Sequence, residues 1–132
     1  MPKFNVRSQS RLNSCHSQLQ KLFREVVKDF DCSILCGYRD EVDQNKAYEK
    51  GYSKVQFPNS KHNIFPSVAV DVVPYPVDWN DLKRFYYFAG FVKGTAFKLG
   101  IKIRWGGDWN GDTIVTDQSF FDLPHHELWI EI

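Results

Sequence analysis

The chain has 132 residues, of which 42% are hydrophobic and 25% are charged, and its formal net charge is +1. This length and composition predict one folded domain spanning residues 1–132, and they argue against a disordered chain or a second domain. The basic side chains of residues 1–29 are scattered rather than clustered, so we expect no nucleic-acid partner.

The chain begins with a segment, 1–13, that we predict to be extended. It contains no apolar run of the kind found in a signal peptide, so we expect synthesis in a reducing cytoplasm. From Cys15 to Phe30 the apolar residues recur at helical spacing, which predicts an amphipathic helix with Ser14 as its N-cap.

A short buried strand follows over 32–36 and ends at Gly37. It carries Cys32 and Cys36, which strand alternation places on one face about 13 Å apart. That separation is too large for a disulfide or a shared metal ion. Cys15 makes the number of cysteines odd, and no CxxC spacing occurs, so the sequence predicts no disulfide framework.

The next elements are a helix over 39–51, a loop to residue 67 and a strand over 68–73. Gly51 stops the helix, and Pro74 ends the strand because a proline cannot continue a central ladder.

A long core helix is predicted over 82–100, where lysine and arginine side chains interrupt the apolar run and exclude a membrane span. A strand over 101–105, a long loop and a last strand over 125–132 complete the chain. This order of elements predicts an α+β fold, with one small and mainly antiparallel sheet flanked by helices.

A carboxylate, Asp71, stands inside the apolar strand, where an unpaired charge is costly to bury. Alternation turns the neighbouring valines toward the core and Asp71 toward a cleft. His62, Asp71 and either His125 or His126 are ligand types that zinc takes, and three protein ligands leave a fourth position open for water. Isolated histidines more often cap or pack, so the spacing alone leaves both interpretations open.

Two further polar residues stand near these candidates in the sequence. Asp122 precedes His125 by three positions and is a candidate general base, although a loop aspartate before Pro124 is the simpler interpretation. Arg39 follows a strand end, where a guanidinium could bind an oxyanion, but a surface arginine at a helix start would look the same.

Four ordered segments, GYRDEVDQNKAY, SKHNIFPSVAVDVVPYPVDW, FAGFVKGTAFKLGIKIRWGGDW and FFDLPHHEL, resemble the phage endolysins of the L-alanyl-D-glutamate peptidase group. These are zinc metallopeptidases related to the D-alanyl-D-alanine carboxypeptidases and the vancomycin-resistance dipeptidases. The resemblance runs from the first predicted helix over about nine-tenths of the chain. It implies a Zn²⁺ cofactor, with His62, Asp71 and His125 as ligands.

The resemblance also assigns the remaining candidates. It implies that Asp122 is the catalytic acid and base and that Arg39 stabilises the transition state. Ser60 matches a supporting hydroxyl, and Gln44 matches a position behind the ligands. One departure from the dipeptidase pattern is the nine-residue step from His62 to Asp71, where those relatives have seven.

The implied function is hydrolysis of the L-alanyl-D-glutamate bond of peptidoglycan stem peptides during phage lysis. The implied protein is a monomer without a separate wall-binding domain, made in the host cytoplasm and acting on the wall after the membrane has been permeabilised. Two alternatives remain: a D-alanyl-D-alanine-type carboxypeptidase, and a zinc-containing wall-binding module without turnover.

The pair His125 and His126 is a second departure, because relatives commonly carry an aromatic after the late histidine. Alternation puts His126 on a face with Leu128, Ile130 and Ile132, an apolar row expected in the core. His125 lies on the opposite face with Glu127, Trp129 and Glu131, so His125 is the predicted ligand and Glu127 is expected to orient a ligand.

Overall fold

The computed structural model describes residues 2–130, and over that range the predicted α+β class is confirmed. The helices and strands, in chain order, are α1 (Val6–Asn13), α2 (Ser17–Asp29), β1 (Cys32–Cys36), α3 (Glu41–Glu49), a single-turn 3₁₀ helix (Lys61–Asn63), β2 (Ala69–Pro74), α4 (Leu82–Leu99), β3 (Ile103–Trp105) and β4 (His125–Leu128).

The four strands form one antiparallel sheet in the order β1-β2-β4-β3. The central pair is β2 and β4, and its register places Asp71 directly opposite His125 and Val70 opposite His126. Two residues distant in the sequence therefore lie side by side on one face of the sheet.

The hydrophobic core lies between the other face of this sheet and helices α2 and α4. Val70 and Val72 of β2 are fully buried, as are Leu22 and Phe23 of α2 and Val92 of α4. Helix α4 has the predicted ends, because Asp81 caps its first turn and Gly100, with φ of 73°, terminates it in the left-handed conformation. Among residues 2–130, no helix is long and apolar enough to cross a membrane.

The prediction of an extended segment over 1–13 is wrong, because Val6–Asn13 forms α1. The Asn5 side chain accepts a hydrogen bond from the Ser8 backbone N–H and caps the helix. Helix α1 then packs against β1: the Ser8 hydroxyl accepts from the backbone N–H of Ile34, and Leu12 is fully buried. Long-range contacts thus stabilise a segment with little hydrophobic signal of its own.

Two boundaries also differ from the predictions. Helix α2 is capped by the His16 ring, which accepts from the Gln18 backbone N–H, whereas Ser14 ends α1. The last strand is shorter than predicted, because β4 ends at Leu128. The prediction of an apolar core row is wrong at Ile130, which is 41% exposed.

The predicted positions of Glu131 and Ile132 lie outside the described residues.

Candidate metal centre and active site

His62 is held by the 3₁₀ helix at the end of the long loop. The Ser60 hydroxyl caps this turn by accepting from the backbone N–H of His62 at 3.2 Å. The His62 Nδ1 atom lies 2.8 Å from the carbonyl oxygen of Gly37. Because Nδ1 must carry a proton to donate to that carbonyl, Nε2 is the nitrogen that faces Asp71 and is available to a metal ion.

Asp71 joins the two histidines. Its Oδ1 atom lies 3.3 Å from Nε2 of His62 and 3.5 Å from Nδ1 of His125. The Asp71 side chain is 16% exposed, and the two histidine side chains are 4% and 10% exposed. Two histidine nitrogens therefore approach one carboxylate oxygen in a largely buried place, and all three atoms are of the types that zinc binds.

His125 has a partner on its other nitrogen. Its Nε2 lies 2.9 Å from Oε1 of Glu127, which holds a proton on Nε2 and directs Nδ1 toward Asp71. The second oxygen of Glu127 binds Nζ of Lys61 at 2.8 Å and the guanidinium of Arg104 at 3.0 Å. Burial alone would raise the pKa of Glu127, but these partners lower it to about 2. Glu127 is thus a fixed anion that orients the His125 ring.

Metal binding fits an otherwise unexplained feature of this cluster. Nε2 of His62 and Oδ1 of Asp71 are buried and make no hydrogen bond within the described part of the chain. Burial alone would raise the pKa of Asp71, but the adjacent His62 and His125 hold it well below its usual range. Unsatisfied buried donors and acceptors of this kind are rare in folded proteins and favour a bound ion.

His126, by contrast, faces the core. Its ring is fully buried against Phe23 and Phe88, with centroids 5.4 and 6.1 Å away in edge-to-face arrangements. Burial lowers the pKa of His126 to about 3, and neither ring nitrogen has a hydrogen-bond partner among residues 2–130. The ring is therefore neutral and directed away from the three converging atoms.

Arg39 enters the cluster from the turn between β1 and α3. Its guanidinium donates to Oε1 of Gln44 at 2.9 Å and lies 3.5 Å from Oδ2 of Asp71. Gln44 is fully buried, and its amide donates to the Ser53 hydroxyl and the Val55 carbonyl. Asn63, next to His62, donates to the same Gln44 oxygen at 3.2 Å. Gln44 thus holds the arginine beside Asp71.

Asp122 approaches the same nitrogen of His125 as Asp71 does, with its Oδ2 4.0 Å from Nδ1, and donor atoms of Asp71, Asp122 and His125 all lie within 4.8 Å of one another. A backbone hydrogen bond from Asp122 N–H to the Gly106 carbonyl holds the loop, and the aspartate side chain is 33% exposed. Burial and the negative charge of Asp71 raise the pKa of Asp122, although His125 and Arg39 act in the opposite direction. A carboxylate with a raised pKa at the edge of a cleft is suited to accepting a proton.

The cluster forms the floor of an open cleft of about 910 Å³. Aromatic side chains line its walls, including Trp79, Trp109 and Phe120, and the Lys54 ammonium lies 5.0 Å above the Phe120 ring. The cleft is wide enough for an extended peptide and offers both apolar walls and cationic groups.

The sequence-based interpretation missed several residues of this site. Lys61 and Arg104 were not recognised as partners of Glu127, because only the paired strands and the capped turn bring them together. The placement of Cys36 on the face of Cys32 is wrong. A β-bulge between Ile34 and Cys36 puts Cys36 opposite Asp71, on the site face of the sheet.

Comparisons of the sequence and of the structure with known proteins all match L-alanyl-D-glutamate peptidases. The family model described as phage L-alanyl-D-glutamate peptidase matches residues 1–129. The L-alanyl-D-glutamate peptidase of Escherichia phage T5 is 30% identical over 134 residues, which cover 96% of this chain and 97% of the phage protein. The crystal structure of the L-Ala D-Glu endopeptidase ChiX of Serratia marcescens superposes with a TM-score of 0.74 at 26% identity. That match covers 96% of this chain and 90% of ChiX.

Proposed function

The chain belongs to the phage L-alanyl-D-glutamate peptidase family, and on that premise we propose that it hydrolyses the L-alanyl-D-glutamate bond of peptidoglycan stem peptides. The observation that carries the proposal is the approach of His62 and His125 to one oxygen of Asp71, at 3.3 and 3.5 Å, with Asp122 4.0 Å from the same His125 nitrogen. We further propose that hydrolysis takes place at the cell wall, once the membrane has been permeabilised, as part of phage lysis.

The three converging residues would hold Zn²⁺ as the cofactor. The set of two imidazoles and one carboxylate, with each imidazole held by a second partner, is typical of catalytic zinc sites. A zinc ion bound there supplies Lewis-acid polarisation of the scissile carbonyl and lowers the pKa of water to about 7.

Asp122 is the residue we propose as general acid and base. Its carboxylate lies beside His125 at the cleft edge, where an attacking water would approach the scissile carbon. Asp122 would accept a proton from that water, and the same proton would then pass to the leaving amine of D-glutamate. The raised pKa of Asp122 favours this exchange, because a carboxylate with a higher pKa is the stronger base.

Arg39 is proposed to stabilise the tetrahedral oxyanion. Gln44 and Asp71 hold its guanidinium at the floor of the cleft, so the positive charge is in place before the substrate arrives. A preorganised donor of this kind stabilises developing negative charge without reorganising during the reaction.

The cleft walls also suit a stem peptide, which carries free carboxylates. Lys54 makes no ion pair within residues 2–130, and it lies over Phe120 at the cleft wall. We propose that Lys54 binds a substrate carboxylate, whereas Lys61 and Arg104 are already engaged by Glu127.

Digestion of purified peptidoglycan, followed by mass spectrometry of the soluble fragments, tests the proposed bond. An L-alanyl-D-glutamate endopeptidase releases stem peptides that begin at D-glutamate, and the new amino terminus identifies the cleaved bond. Release of free D-alanine alone would instead identify a carboxypeptidase. An Asp122→Asn protein serves as the matched control, because it should release neither product at a comparable rate. Binding of peptidoglycan without any product would indicate a wall-binding module.

A further inference from the structure

A thiol stands beside the proposed metal ligands. Along a regular strand, Cys36 would point to the core with Ile34, but β1 advances from Ile34 to Cys36 while β2 advances only from Val72 to Asp71. This bulge turns Cys36 onto the face of the sheet that carries Asp71, and such bulges commonly redirect a side chain next to an active site. The other two cysteines, Cys15 and Cys32, are 1% and 3% exposed and belong to the hydrophobic core.

The contacts of Cys36 are those of a metal ligand. Its sulfur, a ring nitrogen of His62 and a carboxylate oxygen of Asp71 all lie within 4.8 Å of one another. Nε2 of His62 and Oδ1 of Asp71 are buried without a hydrogen-bond partner in the described chain, and His62 is 3% exposed. The thiol makes a weak hydrogen bond of 3.6 Å to the Gly37 carbonyl and also contacts the His62 ring.

We propose that Cys36, His62 and Asp71 form a second ligand set within this metal site, one that binds thiophilic divalent ions through the Cys36 sulfur. The inference rests on the proposed function, because it shares His62 and Asp71 with the catalytic ligand set. Thiolate sulfur is the soft donor that distinguishes ions such as Cd²⁺ from harder ones. On binding, the thiol proton is released to solvent and the sulfur forms a bond to the ion.

The proposal has a consequence for the reaction. The Cys36 ligand set and the proposed catalytic set share His62 and Asp71, so an ion bound in one set excludes an ion from the other. Thiophilic ions that bond to Cys36 should therefore act as inhibitors of the hydrolysis.

Cobalt substitution of the full chain tests this inference spectroscopically. Metal-depleted protein is titrated with Co²⁺ in an anaerobic buffer that contains no thiol reductant. The visible ligand-field bands report binding of the ion, and a near-ultraviolet thiolate-to-cobalt charge-transfer band reports a sulfur ligand. We expect both signals in the wild type. In Cys36→Ser the charge-transfer band should disappear while the ligand-field bands persist, and the control Cys15→Ala should keep both.

The wild-type spectrum alone can overturn the proposal, so the result does not depend on whether a variant folds. Ligand-field bands without a charge-transfer band would overturn the role of Cys36 and leave the proposed function intact. A charge-transfer band that survives in Cys36→Ser would overturn it as well. Absence of all cobalt bands in the wild type would contradict both the inference and the proposed metal dependence.

Cadmium affinity supplies an independent measurement. The dissociation constant for Cd²⁺ is measured by competition with a chromophoric chelator. It should rise at least about tenfold in Cys36→Ser, because losing even a residue that only orients a metal ligand weakens binding by that factor. The dissociation constant for Zn²⁺ should rise less, because zinc is less thiophilic. Equal changes for the two ions, or no change for Cd²⁺, would contradict a sulfur ligand.

Discussion

The two faces of the β2–β4 strand pair each carry one histidine of β4, His125 or His126, in contrasting surroundings. On the cleft face, His125 contacts Asp71 and Glu127, so each of its nitrogens has a polar neighbour. On the core face, the next residue, His126, packs between Phe23 and aromatic neighbours without a polar partner in residues 2–130. The partners present on a strand face, rather than the residue type, therefore decide whether a histidine can bind a metal.

Removal of the metal should give the largest effect, and it should act on the cleft face alone. Exhaustive chelation should reduce peptidoglycan hydrolysis to background, because the general base and the arginine then lack the Lewis acid they act with. Added Zn²⁺ should restore the rate. The far-ultraviolet circular dichroism at room temperature should not change, because the core face contains none of the ligands. Full activity in protein shown to be metal-free would contradict the proposal.

Asp122→Asn should have the next largest effect. The substitution keeps the size of the side chain but removes the proton acceptor, so turnover should fall by about 10² or more. Zinc content should stay at the wild-type level, because Asp122 is proposed to act on the water and not on the ion. The matched control is Asp78→Asn in an exposed turn, which should keep wild-type turnover. Loss of zinc from the Asp122 variant would instead make this residue a ligand.

A smaller effect on zinc binding is expected from Glu127, which contacts His125 on the cleft face. Glu127→Gln keeps a hydrogen-bond acceptor for His125 but removes the charge that Lys61 and Arg104 neutralise. Zinc affinity should fall by about 10- to 100-fold, the usual result of losing an indirect support of a metal ligand. Chelator competition measures it, with Glu25→Gln, an exposed glutamate paired only with Lys28, as the control. Unchanged affinity would show that the negative charge of Glu127 does not support zinc binding by His125.

On the core face the smallest effect is expected, and it is a gain of stability. His126→Phe should raise the free energy of unfolding by about 1 kcal/mol at pH 7, because an unsatisfied buried ring is replaced by an apolar one. The sign of the pH dependence follows from the pKa of about 3 in the folded chain, against 6.5 for the free side chain. Below pH 6.5 the unfolded wild type takes up a proton that the folded state does not.

The wild type should therefore lose stability relative to His126→Phe as the pH falls from 7 toward 3. At pH 5 the additional difference should be about 2 kcal/mol. Urea unfolding of both proteins in chelator at pH 7 and pH 5 measures it. A difference that shrinks at low pH would place the His126 ring in a polar environment.

Much of this arrangement could be predicted from the sequence, and the exceptions share a cause. Strand alternation separates His125 from His126 with no knowledge of the partner strands, and the resemblance of the motifs assigns His62 and Asp71. Helix α1 was not predicted, because its apolar content is low and its stability comes from packing against β1. The bulge at Cys36 depends on how β1 pairs with β2, which no local pattern records.

The ion pairs of Glu127 show the same limitation. Lys61 lies in the 3₁₀ helix and Arg104 in β3, and both contact the same carboxylate oxygen of Glu127 in β4 only once the chain has folded. Local spacing can thus predict which side chains face the cleft, whereas the network that fixes them depends on the assembled sheet.

Metal binding by His125 on the cleft face is tested most directly by the metal content of two purified variants, His125→Ala and His126→Phe. Both are measured side by side after dialysis against trace zinc. We expect almost no zinc in His125→Ala and about one ion per chain in His126→Phe, as in the wild type, because only the cleft face carries ligands. A zinc-free His126→Phe protein together with a zinc-replete His125→Ala protein would contradict the assignment of His125 as the ligand.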